Sequence, residues 1–281
     1  MRPVYLPLTL AELWQCRAQN PGALLYAGGT DLLVNMRSGN INPPALICLE
    51  RLAELKGVEE SPTEVRVGAC ATLADLLDHP LVQKNFPVLV KSLQVLGSPL
   101  IRQMGTIGGN ICNASPAGDT LPPLYILQAA VELKSAQSLR TLPIAEFICG
   151  LRQTKLQPGE ILSAVILPKL PAYNFHHFEK VGLRKSLACS IVSMAALMQL
   201  SEEGIIEFAR LAWGSIGPTV VTSKACEELL IGKKLTEKTL ATAAGLIKDQ
   251  VSPIDDLRAE AAYRRTVCGN LLLRLADKAV L

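Results

Sequence analysis

The residues best suited to chemistry lie in two glycine loops. The first is Ala27-Gly28-Gly29-Thr30-Asp31-Leu32, set between an apolar run and an amphipathic stretch. The second is Gly105-Thr106-Ile107-Gly108-Gly109-Asn110, followed by Cys112 and Asn113. Glycines at the mouth of a helix do one of two things. They make a cramped turn, or they let backbone N–H groups and the helix dipole hold an anion. For the first loop the turn reading makes Thr30 or Asp31 the helix N-cap, and the anion reading makes the loop a pyrophosphate cradle. A carboxylate repels phosphate, so the cradle requires Asp31 to turn towards backbone N–H groups or a sugar hydroxyl. The second loop repeats the device, and the pair suggests one extended anionic ligand clasped from two sides. Valine at Gly28 or Gly109 should then block the ligand and leave the fold largely intact. Asp119, in the continuation NASPAGD, either accepts a hydrogen bond from such a ligand or caps the helix that begins TLPPLYILQ. Neither loop is GxGxxG, so a Rossmann dinucleotide site is not supported.

Other candidates carry less. Gly232-Lys233-Lys234 lacks the following hydroxyl residue of a phosphate loop and reads as a helix C-terminus. His176-His177 stands apart from the third histidine, His79. The eight cysteines contain no CxxC pair, so no zinc or iron–sulfur signature is present, and they read as free thiols. Aromatic residues make up 4% and the net charge is +3, which argues against a stacking platform or a nucleic-acid surface. The start, MRPVYLPLTLAELWQ, is not a secretory leader, and no apolar run is long enough to span a bilayer. A cytoplasmic location is expected.

The elements that must position these loops follow from patterning. With 281 residues and 49% hydrophobic composition, about two domains with a large core are expected. Residues 1–55 read as a small α/β unit, with strands at VYLP, ALLY and ALICL and a helix opened at Thr9-Leu-Ala-Glu12. Residues 56–170 begin with the strand EVRVGA, a helix capped at Thr72, and a helix over 86–96. A long glycine- and proline-rich loop then runs from 97 to 124, and a helix, a strand and the strand EILSAVILP complete the unit. The proline-marked exit near 168–171 is the expected domain boundary. Residues 171–281 read as three antiparallel strands followed by helices at 222–230, 236–251 and 259–279, an α+β arrangement.

AGGTDLLVNMR at 27–37, GSPLIRQMGTIGGNICNASPAGDTLPPL at 97–124, PGEILSAVILP at 158–168, FEKVGLRKSLA at 178–188 and SPIDDLRAEAAYRR at 252–265 carry a resemblance that runs end to end. The chain resembles the FAD-binding medium subunit of the molybdenum hydroxylases, the group of the xanthine, carbon monoxide and nicotinate dehydrogenases. The resemblance implies a two-part FAD domain of the vanillyl-alcohol-oxidase type over 1–170, and a C-terminal α+β domain with a three-stranded antiparallel sheet over 171–281. It places the FAD diphosphate on Ala27, Gly28, Gly29, Thr30, Asp31 and Leu32, and a second wall on Thr106, Gly108, Gly109, Asn110, Asn113 and Asp119. It packs Leu96 and Leu162 on ring faces and sets Lys180 near the cofactor as a positive charge. No residue is implied as catalytic, because the flavin carries the redox chemistry. The implied partners are a large subunit with the molybdenum cofactor, a small [2Fe-2S] subunit, and NAD⁺ or another acceptor, in a dimer of heterotrimers. The xanthine dehydrogenase-like branch fits best in texture. The FAD subunit of a related nicotinate or carbon monoxide dehydrogenase-type complex, a stand-alone flavin oxidoreductase and a flavin-free binding protein of the same fold are the alternatives. Two departures stand out: SLACSI lacks an aspartate that some members carry, and the cysteine-rich insertion of the 4-hydroxybenzoyl-CoA reductases is missing.

Overall fold

The computed structural model describes residues 2–171, 173–184 and 187–278. Lys185 and Ser186, within the FEKVGLRKSLA stretch, and Ala279, the expected end of the last helix, lie outside them.

Three parallel strands open the chain, with Leu46–Cys48 between Val4–Tyr5 and Leu24–Tyr26. Thr9 caps the helix Leu10–Gln19 by accepting from Glu12 N at 3.2 Å. Glu12 answers one residue early, accepting from Leu8 N at 2.8 Å, so the box is displaced from the expected pairing. Leu13 and Ile47 are fully buried between helix and sheet.

The middle of the chain builds a five-stranded antiparallel sheet. Its order is Val58–Glu60, Glu64–Gly68, Ile161–Pro168, Ala130–Lys134, Leu139–Pro143. A bulge at Ser163, between Leu162 and Ala164, breaks the register of the central strand. The capping box at Thr72 is complete here, with Thr72 and Asp75 each accepting from the other's backbone N–H.

The glycine- and proline-rich stretch is not one loop. It folds into three short helices, Pro99–Met104, Ile107–Asn113 and Leu121–Ile126. The first starts on Pro99 and the last carries Pro122 as its second residue; prolines suit the first turn because their missing N–H is not needed there. The helix Ile107–Asn113 is capped by Thr106, whose hydroxyl accepts from Gly109 N at 3.1 Å. An isolated bridge between Thr72 and Thr106 ties this helix start to the preceding cap.

The C-terminal sheet is antiparallel, in the order Phe175–Val181, Val192–Leu200, Ile206–Gly214, Val221–Thr222. The last strand, only two residues long, joins the three that were expected. Alternation sends Met194, Ala196 and Met198 to a core shared with the helices Lys224–Leu230, Glu237–Gln250 and Ala261–Leu273. Ala195 and Leu197 face the other way, into the core of the middle unit. This sheet is therefore buried on both faces. No helix among the described residues is long and apolar enough to cross a membrane.

Candidate functional site

The first glycine loop follows the strand Leu24–Tyr26 and precedes the helix Leu32–Arg37. Asp31 stands at the N-cap position in a helical conformation and makes no capping hydrogen bond. Its Oδ2 accepts instead from Asn35 Nδ2 at 2.9 Å, one turn along the helix. The carboxylate thus turns to a side-chain amide rather than to backbone N–H groups, one of the two partners expected for it. One consequence is that the N–H groups of Gly28, Gly29, Thr30, Asp31 and Leu32 have no hydrogen-bond partner among the described residues. Five consecutive unpaired donors form an anion-binding concavity.

The second loop is built differently. Ile107 N donates to Ala71 O, Gly108 N to Ala69 O, and Gly109 N to Thr106 Oγ1. The first turn of that helix is therefore spent inside the protein. What it offers a ligand is the bare Cα surface of Gly109 and two side-chain amides. Asn110 Oδ1 accepts from Thr120 Oγ1 at 2.5 Å and Asn113 Oδ1 accepts from Arg152 at 2.8 Å. Neither amide nitrogen has a partner among the described residues, so both remain free to donate.

The four glycines have distinct duties. A methyl group on Gly28 would fall 1.5 Å from Met104 O, so Gly28 lets the two loops touch. One on Gly108 would sit 2.7 Å from Ala69 O, so Gly108 seats the helix on its neighbour. Gly29 has φ +68°, which a side chain rarely adopts. At Gly109 an added methyl would meet only Thr106 Oγ1, at 3.0 Å.

Between the loops lies a cleft of about 390 Å³, lined by Ala27 to Leu32, Leu96, Thr106, Gly109, Asn110 and Asn113 among others. An adjoining apolar hollow of about 170 Å³ shares Ala27, Thr106, Gly109 and Cys112 with it and adds Gly108 and Leu162. Desolvation pushes the thiol of the half-buried Cys112 up to about 12, which favours the protonated form at ordinary pH.

Asp119 and Lys180 line neither space. They meet each other: Lys180 Nζ donates to Asp119 Oδ2 at 2.5 Å, with both side chains under 10% exposed. Asp119 is not a helix cap, since the following helix starts after Thr120 without a side-chain cap. Its Oδ1 is buried with no partner. Burial pushes the Asp119 carboxyl up to about 6, against the opposing pull of the Lys180 charge and hydrogen bond. Lys180 also opens on a third hollow of about 450 Å³, lined by Val95, Val181, Gly182, Arg184 and Ala188.

Arg152 is a residue the sequence did not reveal. From a left-handed backbone (φ +52°) it donates to Asn113 Oδ1 and lies 3.8 Å from Asp31 Oδ2. It joins the two loops at the rim of the cleft and adds positive charge there. Nothing in its local sequence marks it, because both partners are remote along the chain.

An elongated, anionic ligand with apolar rings fits the cleft: unpaired amide donors for phosphate oxygens, free amide side chains and apolar walls. FAD has that chemistry. Comparison with known proteins agrees. Residues 1–170 match the FAD binding domain in molybdopterin dehydrogenase, and residues 176–279 match the CO dehydrogenase flavoprotein C-terminal domain. The chain is 30% identical over 268 residues to the nicotinate dehydrogenase FAD-subunit of Eubacterium barkeri, covering 93% of this chain and 90% of that one. It is 30% identical over 275 residues to a putative xanthine dehydrogenase FAD-binding subunit of Escherichia coli K12, covering 97% and 94%. It superposes on a chain of quinoline 2-oxidoreductase from Pseudomonas putida 86 with a TM-score of 0.94 at 28% identity, covering 99% and 96%. Fold, site chemistry and sequence together place this chain in the family of FAD-binding oxidoreductase subunits of the molybdenum hydroxylases.

Proposed function

We propose that this chain is the electron-transfer flavoprotein of a xanthine dehydrogenase-like, molybdenum-dependent complex in the cytoplasm. In this reading, electrons leave a molybdenum-cofactor large subunit, cross a small [2Fe-2S] subunit, reach FAD here, and pass to NAD⁺ or another acceptor. The complex is a dimer of heterotrimers. The reading divides the chain into an FAD-binding domain over 1–170 and a C-terminal domain over 171–281. Bound FAD supplies the redox chemistry. The chain supplies binding, orientation and charge: the 28–32 amides take the diphosphate, Thr106, Gly108, Gly109, Asn110 and Asn113 form the facing wall, and Leu96 and Leu162 pack on ring faces. Asp119 and Lys180 present one acceptor and one cation to the flavin. The observation that carries the reading is the run of five unpaired N–H groups on residues that line the cleft. A nicotinate dehydrogenase-type complex is the second reading, favoured by an equal 30% identity to that relative.

The test is reconstitution of the full chain with FAD, for wild type and Gly109→Val. Valine fills the cleft face of Gly109, so the variant should keep its circular dichroism spectrum and lose flavin absorbance. Full FAD occupancy in Gly109→Val overturns the clasp. The electron path is tested by purifying the native complex with its partners and following flavin bleaching on addition of a heterocyclic substrate. Substrate turnover by the isolated chain would instead mark a stand-alone oxidoreductase.

A further inference from the structure

Arg264 lies on the helix Ala261–Leu273, remote in sequence from every residue of the cleft, and is only 3% exposed. A buried guanidinium needs several partners to offset its desolvation. Nη2 donates to Asp256 Oδ1 at 2.6 Å, and Nη1 donates to Ile191 O at 2.7 Å and Ser215 O at 3.3 Å. Asp256 is held in turn by Arg258 N, Ala259 N and the Arg258 guanidinium.

The two carbonyls that Arg264 grips begin two routes to the Asp119–Lys180 pair. Ile191 N donates to Val181 O, and in the sheet Val181 pairs with Val192 and Lys180 with Ser193. The grip on Ile191 therefore fixes the strand end that carries Lys180. Ser215 has φ +66°, and its N–H donates to Pro116 O at 2.9 Å, in the turn that leads to Asp119. The same turn rests on Gly214, where an added methyl would lie 3.3 Å from Pro116 O and 2.6 Å from Ser193 Oγ. Lys180, Ser193 and Gly214 form one row across the sheet, with Asp119 above one end and Pro116 above the other.

We propose that Arg264 is a positioning residue for the cofactor: by holding Ile191 and Ser215 at once it sets the alignment of Lys180 with Asp119, and through them FAD binding. The inference rests on Asp119 and Lys180 belonging to the cofactor site. Lysine at 264 keeps a charge for Asp256 but lacks the planar fork that reaches both carbonyls.

The experiment is a double-mutant cycle on the full-length chain, measuring FAD dissociation constants for wild type, Asp119→Asn, Arg264→Lys and the double variant. Arg264→Lys should weaken FAD binding about 10-fold in the wild-type background and far less in the Asp119→Asn background, since coupled residues are not additive. A merely structural charge would cost the same in both backgrounds, and that result overturns the proposal, as does unchanged FAD affinity in Arg264→Lys. If Asp119→Asn alone leaves FAD affinity unchanged, the assignment of that pair to the cofactor site fails instead. Should Arg264→Lys not fold, Asp256→Asn takes its place in the cycle, because it loosens the same anchor at its far end. Loss of the fold in both variants also overturns the proposal.

Discussion

Gly28 and Gly109 each belong to the glycine pair of one of two similar motifs, yet substitution should separate them. A side chain at Gly28 strikes the Met104 carbonyl, so Gly28→Ala forces the loops apart and should cost ~3 kcal/mol of stability. Thermal melting of the apo chain checks this. Gly109→Val should melt near wild type and lose FAD, as tested above. At Gly28 the packing speaks against the expectation that both substitutions spare the fold, because the first loop is packed from behind. Asp119 gives a pH prediction. Its carboxyl is raised from the ordinary 3.8 to about 6, so the folded chain keeps a proton that the unfolded chain has released. Native stability from this group therefore falls as pH rises from about 4 to about 6 and is level above that. The stability of Asp119→Asn relative to wild type should rise across the same window, by at most ~3 kcal/mol. Urea denaturation at several pH values reads this directly, and a flat difference would show that Asp119 does not titrate there.

At the scale of elements, the helix Ile107–Asn113 is the one whose cap decides the site. The Thr106 hydroxyl satisfies Gly109 N and so holds the helix start, while its backbone bridges to Thr72. Thr106→Ala should cost about 1 kcal/mol and lower the melting temperature by roughly 2–4 °C. Thr106→Ser should restore most of this, with calorimetry as the measurement. Elements of this kind divide what the sequence discloses from what it conceals. The strand Glu64–Gly68 and the cap at Thr72 announce themselves by alternation and by a local side-chain partner. The helices Pro99–Met104 and Ile107–Asn113 do not, since prolines and paired glycines weaken the local helical signal. Contacts distant in sequence make them helical: Ile107 N to Ala71 O and Leu73 N to Gly105 O. The same holds for the site. The first glycine loop and Asp119 are legible as candidates from their own sequence, and Lys180 only through resemblance. The Asp119–Lys180 ion pair, and the reach of Arg152 to Asn113 and Asp31, are matters of tertiary approach that no local pattern encodes.

For the whole molecule, the matched regions 1–170 and 176–279 look separable along the chain, and the packing says otherwise. Phe178, Ala195, Leu197 and Ala212 of the C-terminal sheet belong to the same buried cluster as Val65, Leu93 and Leu124 of the middle unit. The helices Pro87–Val95 and Leu121–Ile126 pack directly on that sheet. A chain cut after residue 170 exposes this face, and it also removes Lys180 from Asp119. Breaking a buried pair by removing one partner is strongly destabilising, by about 3–5 kcal/mol, before the lost apolar burial is counted. The fragment 1–170 should therefore lack a cooperative melting transition and bind a dye for exposed apolar surface, whereas the full chain should unfold in one transition. FAD should raise that single transition, by ~2.7 kcal/mol of added stability when the ligand is at 100 times its dissociation constant, because it binds only the folded form. A fragment 1–170 that melts cooperatively and binds FAD with full-chain affinity would show that the C-terminal sheet is an appendage. The shared core instead packs that sheet against the middle unit, so the two should unfold together.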